Sequence, residues 1–275
     1  MTTHTEKTLS STDILNSQNV YIAGGLTADV TAGINGAQES IICASDSITR
    51  PANTSAYSVG DIVAGATVSL SGTVTINTSV ISALSEADIA KCKLGMKVAG
   101  TGIPSDSFIT IIGTDSVTFG NAANTAATAT NTGVTVTGTP VVLTFDYSAN
   151  ATLRNGADVE VEEVEVSDNS LGCANGNTQF NLVLFKEIPF LTSASDNAAM
   201  QLPESELAKR ATGFGVIVNS QSYGLTSLVK QVDISRKTTL QSTSKKLYGI
   251  LQAISYTPTV NSNKLTVTTK GVRFN

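Results

Sequence analysis

Tryptophan is absent from this chain of 275 residues, and histidine occurs once, as His4. A Ser-His-Asp or Cys-His catalytic device would have to use that one imidazole. It sits in a terminal segment, where the rigid support that a catalytic base needs is missing. Aromatic residues make up only 5% of the chain against 41% hydrophobic residues overall, so any core must come from Val, Ile, Leu and Ala. Such a mixture suits pleated sheets. Cysteine is scarce as well. Cys43, Cys92 and Cys173 are odd in number, far apart and in no CxxC pair. That argues against a disulfide framework and a zinc site, and all three are expected to be buried thiols. Charged residues are 14% of the chain, against about 25% in ordinary domains. The net charge is −5 with no Lys/Arg run, which speaks against nucleic-acid binding. No stretch approaches the roughly 18 consecutive apolar residues of a membrane span. The N-terminus MTTHTEKTLSSTD lacks the apolar stretch of a signal peptide, so synthesis and use without standard export are expected.

What remains is a hydroxyl- and amide-rich text cut by turn signals, the composition of a protein that lives in an assembly. Residues 1–40 carry Gly24, Gly25, Gly33 and Gly36 among short polar runs, with one apolar knot at Val20-Tyr21-Ile22. Too little apolar surface is present there for a core, and the segment reads as an extended N-terminal arm with that knot as its anchor. From Ser47, a Pro-Ala-Asn turn and a Tyr-x-x-Gly-Asp stretch read as a loop feeding a strand at Ile62-Val63.

Between about Gly65 and Pro140 the texture changes to Thr, Val and Ala. Period-two alternation in Thr67–Leu70 and Val134–Thr137 marks half-buried strands. Ser85-Glu86-Ala87-Asp88 resembles a capping box, and it predicts a helix of about two turns over 86–93, closed by Gly95. Strands are expected at Phe108–Ile112 and Ser116–Phe119. Gly100-Thr101-Gly102 is turn punctuation rather than a phosphate loop, since no lysine follows and no helix opens there.

The first texture returns after Pro140. Strands are predicted at Val141–Phe145, at the acidic Asp158–Val166, at Phe180–Phe185, Phe214–Val218, Leu247–Ile254 and Leu265–Thr269, with a helical turn at Glu204–Lys209. In the acidic strand Val159, Val161, Val164 and Val166 point to a core, and the consecutive Glu162-Glu163 breaks the register and suggests a bulge. Glu160, Glu162 and Glu165 are expected outside as solvated charges that block edge pairing. The strands follow one another with no βαβ rhythm. The expectation is an all-β chain: an antiparallel β-sandwich or jelly-roll-like host domain (41–64 and 141–275), interrupted by an inserted small β-barrel or sandwich (65–140).

Ile48-Thr49-Arg50-Pro51-Ala52-Asn53-Thr54-Ser55-Ala56-Tyr57-Ser58-Val59-Gly60-Asp61, Asn181–Phe185 and Lys246–Leu251 together resemble virion structural proteins of tailed bacteriophages. Leu94-Gly95-Met96 through Gly102-Ile103-Pro104 is similar to a small β module of phage surface proteins. The resemblance implies a virion component, with head decoration (cement) protein as the leading expectation and a tail or baseplate component as the alternative. Its expected partner is the major capsid protein on the outer surface of the head. Closed symmetry favours a homotrimer, and neither a cofactor nor a metal is implied. A glycan hydrolase using Asp158, Glu160, Glu162 or Glu163 is a weaker reading, because these acids have no aromatic sugar platform beside them.

Overall fold

The computed structural model describes residues 40–150, 153–169, 178–192, 194–211, 216–223, 226–231, 236–240 and 244–274. Val20, Tyr21, Ile22, His4 and Cys173 lie outside the described residues. The chain is nearly all β, as its β-branched composition requires, and every strand pairing is antiparallel.

The main sheet has nine strands: β1 (Ser40–Thr49), β8 (Leu143–Asp146), β9 (Asp158–Asp168), β10 (Gln179–Phe185), β11 (Val216–Tyr223), β12 (Thr226–Gln231), β13 (Arg236–Thr239), β14 (Lys246–Ser255) and β15 (Lys264–Phe274). Their order is β1-β15-β9-β12-β11-β10-β14-β8, with β13 on β9 beside β12. Strands far apart in sequence are thus neighbours: β1 and β15 pair over ten residues, from Ser40↔Arg273 to Thr49↔Lys264. The sheet curls until its two end strands meet. There the Asp46 carboxylate on β1 accepts a hydrogen bond from the Thr144 backbone N–H of β8 at 2.9 Å.

Residues 68–139 form a closed barrel of six strands, β2 (Val68–Val74), β3 (Val80–Ser82), β4 (Lys97–Ala99), β5 (Ser107–Ile112), β6 (Val117–Gly120) and β7 (Asn131–Thr139), ordered β2-β3-β6-β5-β4-β7. Its entry and exit touch: the Gly65 N–H donates to Pro140 O at 2.6 Å, and the Thr67 and Thr139 hydroxyls are 2.9 Å apart. The helix is shorter than the sequence suggests. Ser85 caps it by accepting from the Asp88 N–H at 3.1 Å, but α1 covers only Glu86–Ile89. Beyond it Lys91 and Cys92 bond back three residues instead of four, which tightens the chain into turns before Gly95.

Three apolar cores follow from the alternation. In β10, Phe180, Leu182 and Leu184 face the inside of the curled sheet with Leu247, Leu251 and Ala253 of β14. Val183 and Phe185, with Tyr248 and Ile250, face the other way into a second core. Burial on both faces explains why this strand reads as a continuous apolar run rather than an alternating one. The second core is roofed by Ile188, Leu191, Val141, Val142 and the barrel's Phe108, whose ring stacks on Phe190 at 6.0 Å. Leu70, Ile81, Met96, Ile109, Phe119 and Val136 fill the barrel. Lys93 adds a polar tie between barrel and main sheet, reaching Asp46 Oδ1 and Ser47 O at 2.7 Å each.

The acidic strand carries its bulge at Glu162. Lys270 pairs with Glu163 and Gly271 with Val161, leaving Glu162 unmatched. That extra residue keeps Val159, Val161, Val164 and Val166 all buried in the first core.

Candidate functional site

The acids of β9 separate into different environments. Asp158 and Glu162 are exposed, whereas Glu160 is buried, contrary to the expected solvated charge. The strand register places Lys237 of β13 opposite Glu160 and Lys230 of β12 opposite Glu165. Across the other edge Lys270 reaches Glu163 at 2.6 Å and Glu165 at 3.4 Å, and hydrogen bonding to Glu163 raises its ammonium pKa. Lys270 thus answers two acids of the negative strand across the strand pair. Asp158, Glu160 and Glu163 all have partners. Among the described residues no group of three or more His, Cys, Asp or Glu side chains is placed to hold a metal ion.

Of the two described cysteines, Cys92 is buried, its Sγ 3.3 Å from Asp88 O, and burial pushes its thiol pKa up. Cys43 is exposed, which corrects the expectation of a buried thiol. It belongs to the face of β1 that also presents Ser45 and Thr49 to solvent, while Ile42, Ala44 and Ile48 face the core.

The densest polar constellation lies where the sequence carries its Arg-Pro-Ala-Asn motif. Arg50 is completely buried. Its Nε donates to the Tyr57 hydroxyl at 2.7 Å, and its two terminal nitrogens reach Asn263 Oδ1 at 2.9 Å and Asn53 Oδ1 at 3.1 Å. The guanidinium also lies over the rings of Tyr57 and Tyr256, 4.9 and 5.5 Å from their centroids. Tyr57 passes the chain on by donating to Asp196 Oδ1 at 2.6 Å, and burial first, then this carboxylate, raise its phenol pKa. Asp196 Oδ1 also accepts from the Ala64 N–H at 3.0 Å, while Oδ2 accepts no hydrogen bond and faces Arg50 at 3.9 Å. Asn263 closes the set by donating to the Tyr256 hydroxyl at 2.7 Å.

This is a fastening. A planar fork buried among phenols, amides and a carboxylate ties the loop 50–64 to the loop around Asp196 and to the β14–β15 turn. The sequence singles out the motif but gives no sign of Asp196, Tyr256 or Asn263, which come from distant turns.

Next to this fastening the second core runs out into an open groove of 620 Å³. Its floor is Asn181 and Val183 of β10 with Gln252–Ile254 of β14, and its walls are Val59-Gly60 on one side and Met200, Leu202 and Leu207 on the other. Val59 is 75% exposed and Leu207 45%. Asn181 Nδ2 donates to Gln252 Oε1 at 2.8 Å, and Gln252 Nε2 to Gly60 O at 3.1 Å, so an amide pair runs along a mainly apolar trough that Arg210 also lines. The arrangement can take up apolar side chains.

No family model, curated protein or solved structure matches the chain.

Proposed function

We propose that the chain is a non-enzymatic structural component of a tailed bacteriophage particle, a decoration protein bound to the major capsid protein on the outside of the head. The observation that carries the reading is the use made of the polar residues. Arg50, Tyr57, Asp196 and Asn263 serve to rigidify loops, and Glu163 and Glu165 of β9 are paired with Lys270 across the strands. The groove between Val59 and Leu207 offers partners mainly apolar and amide surface, which suits attachment by shape and burial rather than catalysis. The phage resemblance of the Arg50–Asp61 loop supplies the context. In this reading the curled sheet is the rigid body, and the segment 65–140 is an inserted unit set upon it. Trimers are the expected form at a threefold position of the head.

A decoration protein stabilises the assembled shell by binding it and not the free subunits. The test is to fractionate particles and then add the purified protein to heads stripped of it. Tailless heads should retain it in many copies, and rebinding should raise the temperature at which the heads open. Recovery only with tails, or absence from particles altogether, sinks the proposal.

A further inference from the structure

We propose that the groove between Val59 and Leu207 binds an extended peptide segment of a partner protein that carries apolar side chains and one acidic side chain. This inference does not rest on the virion reading. Val59, Val183, Met200, Leu202, Leu207 and Ile254 supply the apolar part of the lining, and Val59 and Leu207 are 75% and 45% exposed. Large side chains that enter between them leave water together with the walls. Arg210 is the only charged residue of the lining. It has a contact of its own within the chain, but a guanidinium carries five N–H donors in a fixed fork and serves a second partner beside the first. The neighbouring acid Glu206 is taken up by Lys209 at 2.6 Å and by the Phe190 N–H at 2.8 Å. An incoming carboxylate therefore finds a cation in the groove, whereas an incoming lysine is repelled.

The floor selects a peptide over a fatty acid of the same charge. Asn181 gives one Nδ2–H to Gln252 Oε1, and Gln252 donates onward to Gly60 O. Among the described residues, Asn181 Oδ1 accepts nothing and its second Nδ2–H donates to nothing. An alkyl chain laid over this amide would strip its water and return no hydrogen bond. A peptide main chain brings a donor and an acceptor in each unit. The backbones of β10 and β14 are spent on their mutual ladder, from Gln179↔Ser255 to Phe185↔Tyr248, so the side-chain amide is what the floor offers such a chain. The flanks then assign the side chains. Val59 stands on the outer side of β14, where the Gly60 N–H bonds to Ala253 O. Arg210 bridges Phe185 on the edge of β10 away from β14. A main chain over Asn181 thus has an apolar wall on one flank and a cation on the other, which calls for an acidic side chain reaching sideways rather than a chain end.

Capped pentapeptides of leucine and serine, with one glutamate moved through the sequence, provide the test. Glutamine and lysine replace the glutamate as controls, and dodecanoate stands for the competing ligand class. On the full chain, the best glutamate peptide should bind about tenfold more tightly than its glutamine counterpart, the scale of one charge-assisted hydrogen bond. The lysine counterpart should be weakest. Binding should shift the methyl NMR resonances of Val59 and Leu207, and Arg210→Gln should remove the preference for glutamate. Val59→Asp changes an exposed side chain and should weaken the glutamate peptide about tenfold, so the test stands even if Arg210→Gln does not fold. Absence of binding, equal binding of the glutamine or lysine peptides, or methyl shifts confined to other surfaces would overturn the proposal. So would a glutamate preference that survives in Arg210→Gln, or tighter binding of dodecanoate. Binding to phage heads is read in a separate assay, so failure of the one result is distinguishable from failure of the other.

Discussion

Replacing Gly271 by alanine adds one methyl group where two central strands leave no room for it. Beside the Glu162 bulge, β15 and β9 approach so closely that a Cβ on Gly271 would run into the Glu160 carbonyl oxygen. The carbonyl carbon would lie 2.9 Å away and Val161 Cα 3.0 Å. All three atoms are backbone, so no rotamer change relieves the contact, and β9 is held on its other side by β12 and β13. Overpacking of this kind costs about 3 kcal/mol. Alanine also restricts the unfolded chain and thereby offsets about 0.5–1 kcal/mol, leaving a net loss of about 2 kcal/mol. At about 2–4 °C per kcal/mol for a chain of this size, Tm should fall by about 4–8 °C. Gly133 is the comparison: its φ is +64° and nothing lies within 4 Å of an added Cβ. Gly133→Ala should lose only about 1 kcal/mol, through backbone strain alone. Urea melts of both variants decide. If Gly271→Ala stays within about 0.5 kcal/mol of the parent, or Gly133→Ala is the worse of the two, the register at the bulge is wrong.

Arg50→Met should lose about 3–5 kcal/mol, because Asp196 is left buried without its cation, and Arg50→Lys should recover little because an ammonium cannot copy the fork; equal stability of Arg50→Lys and the parent in urea melts would contradict this. Burial raises the phenol pKa of Tyr57, Tyr147 and Tyr248 above the ordinary 10.0. The unfolded chain therefore releases these protons first, so their contribution to stability is complete below about pH 10 and shrinks as pH rises above it. Tyrosinate absorbance from these residues should appear together with loss of sheet signal, and their titration near pH 10 in a still folded protein would refute the burial. With a maleimide under native conditions, peptide mass mapping should find Cys43 labelled well before Cys92; the reverse order would contradict their placement.

Legibility in the sequence followed the strength of the local pattern. The alternating valines and double glutamate of β9 specify both the buried face and the bulge, because one extra residue is the only way to keep all four valines inside. The two-faced burial of β10 likewise shows in its unbroken apolar run. By contrast β1, read as SIICASDSIT, has hydroxyl groups and an aspartate where a strand pattern would alternate more cleanly. It is a strand because β15, more than two hundred residues away, pairs with it at every position. Ile62-Val63 shows the opposite case. Its composition predicts a strand, yet it makes only an isolated bridge to Gln252, because Asp61 and Asp196 direct the chain around it into turns. The Glu160 environment was hidden for the same reason as Asp196: its neighbours are set by long-range register, which no local window contains.

The touching ends of the barrel have a mechanical consequence. A drag on its outer loops is carried by two tethers in parallel, one through Gly65 and one through Pro140. Both lead to the same strand: Val63 N–H bonds to Leu251 O, and β8 is laddered onto β14 from Lys246↔Asp146 to Gly249↔Leu143. The load therefore arrives on β14 from two sides. Behind it stands the seven-residue ladder to β10, from Phe185↔Tyr248 to Gln179↔Ser255, whose hydrogen bonds share the strain along their length. Pulling on the barrel would shear a central strand against its neighbours instead of peeling an edge strand off bond by bond.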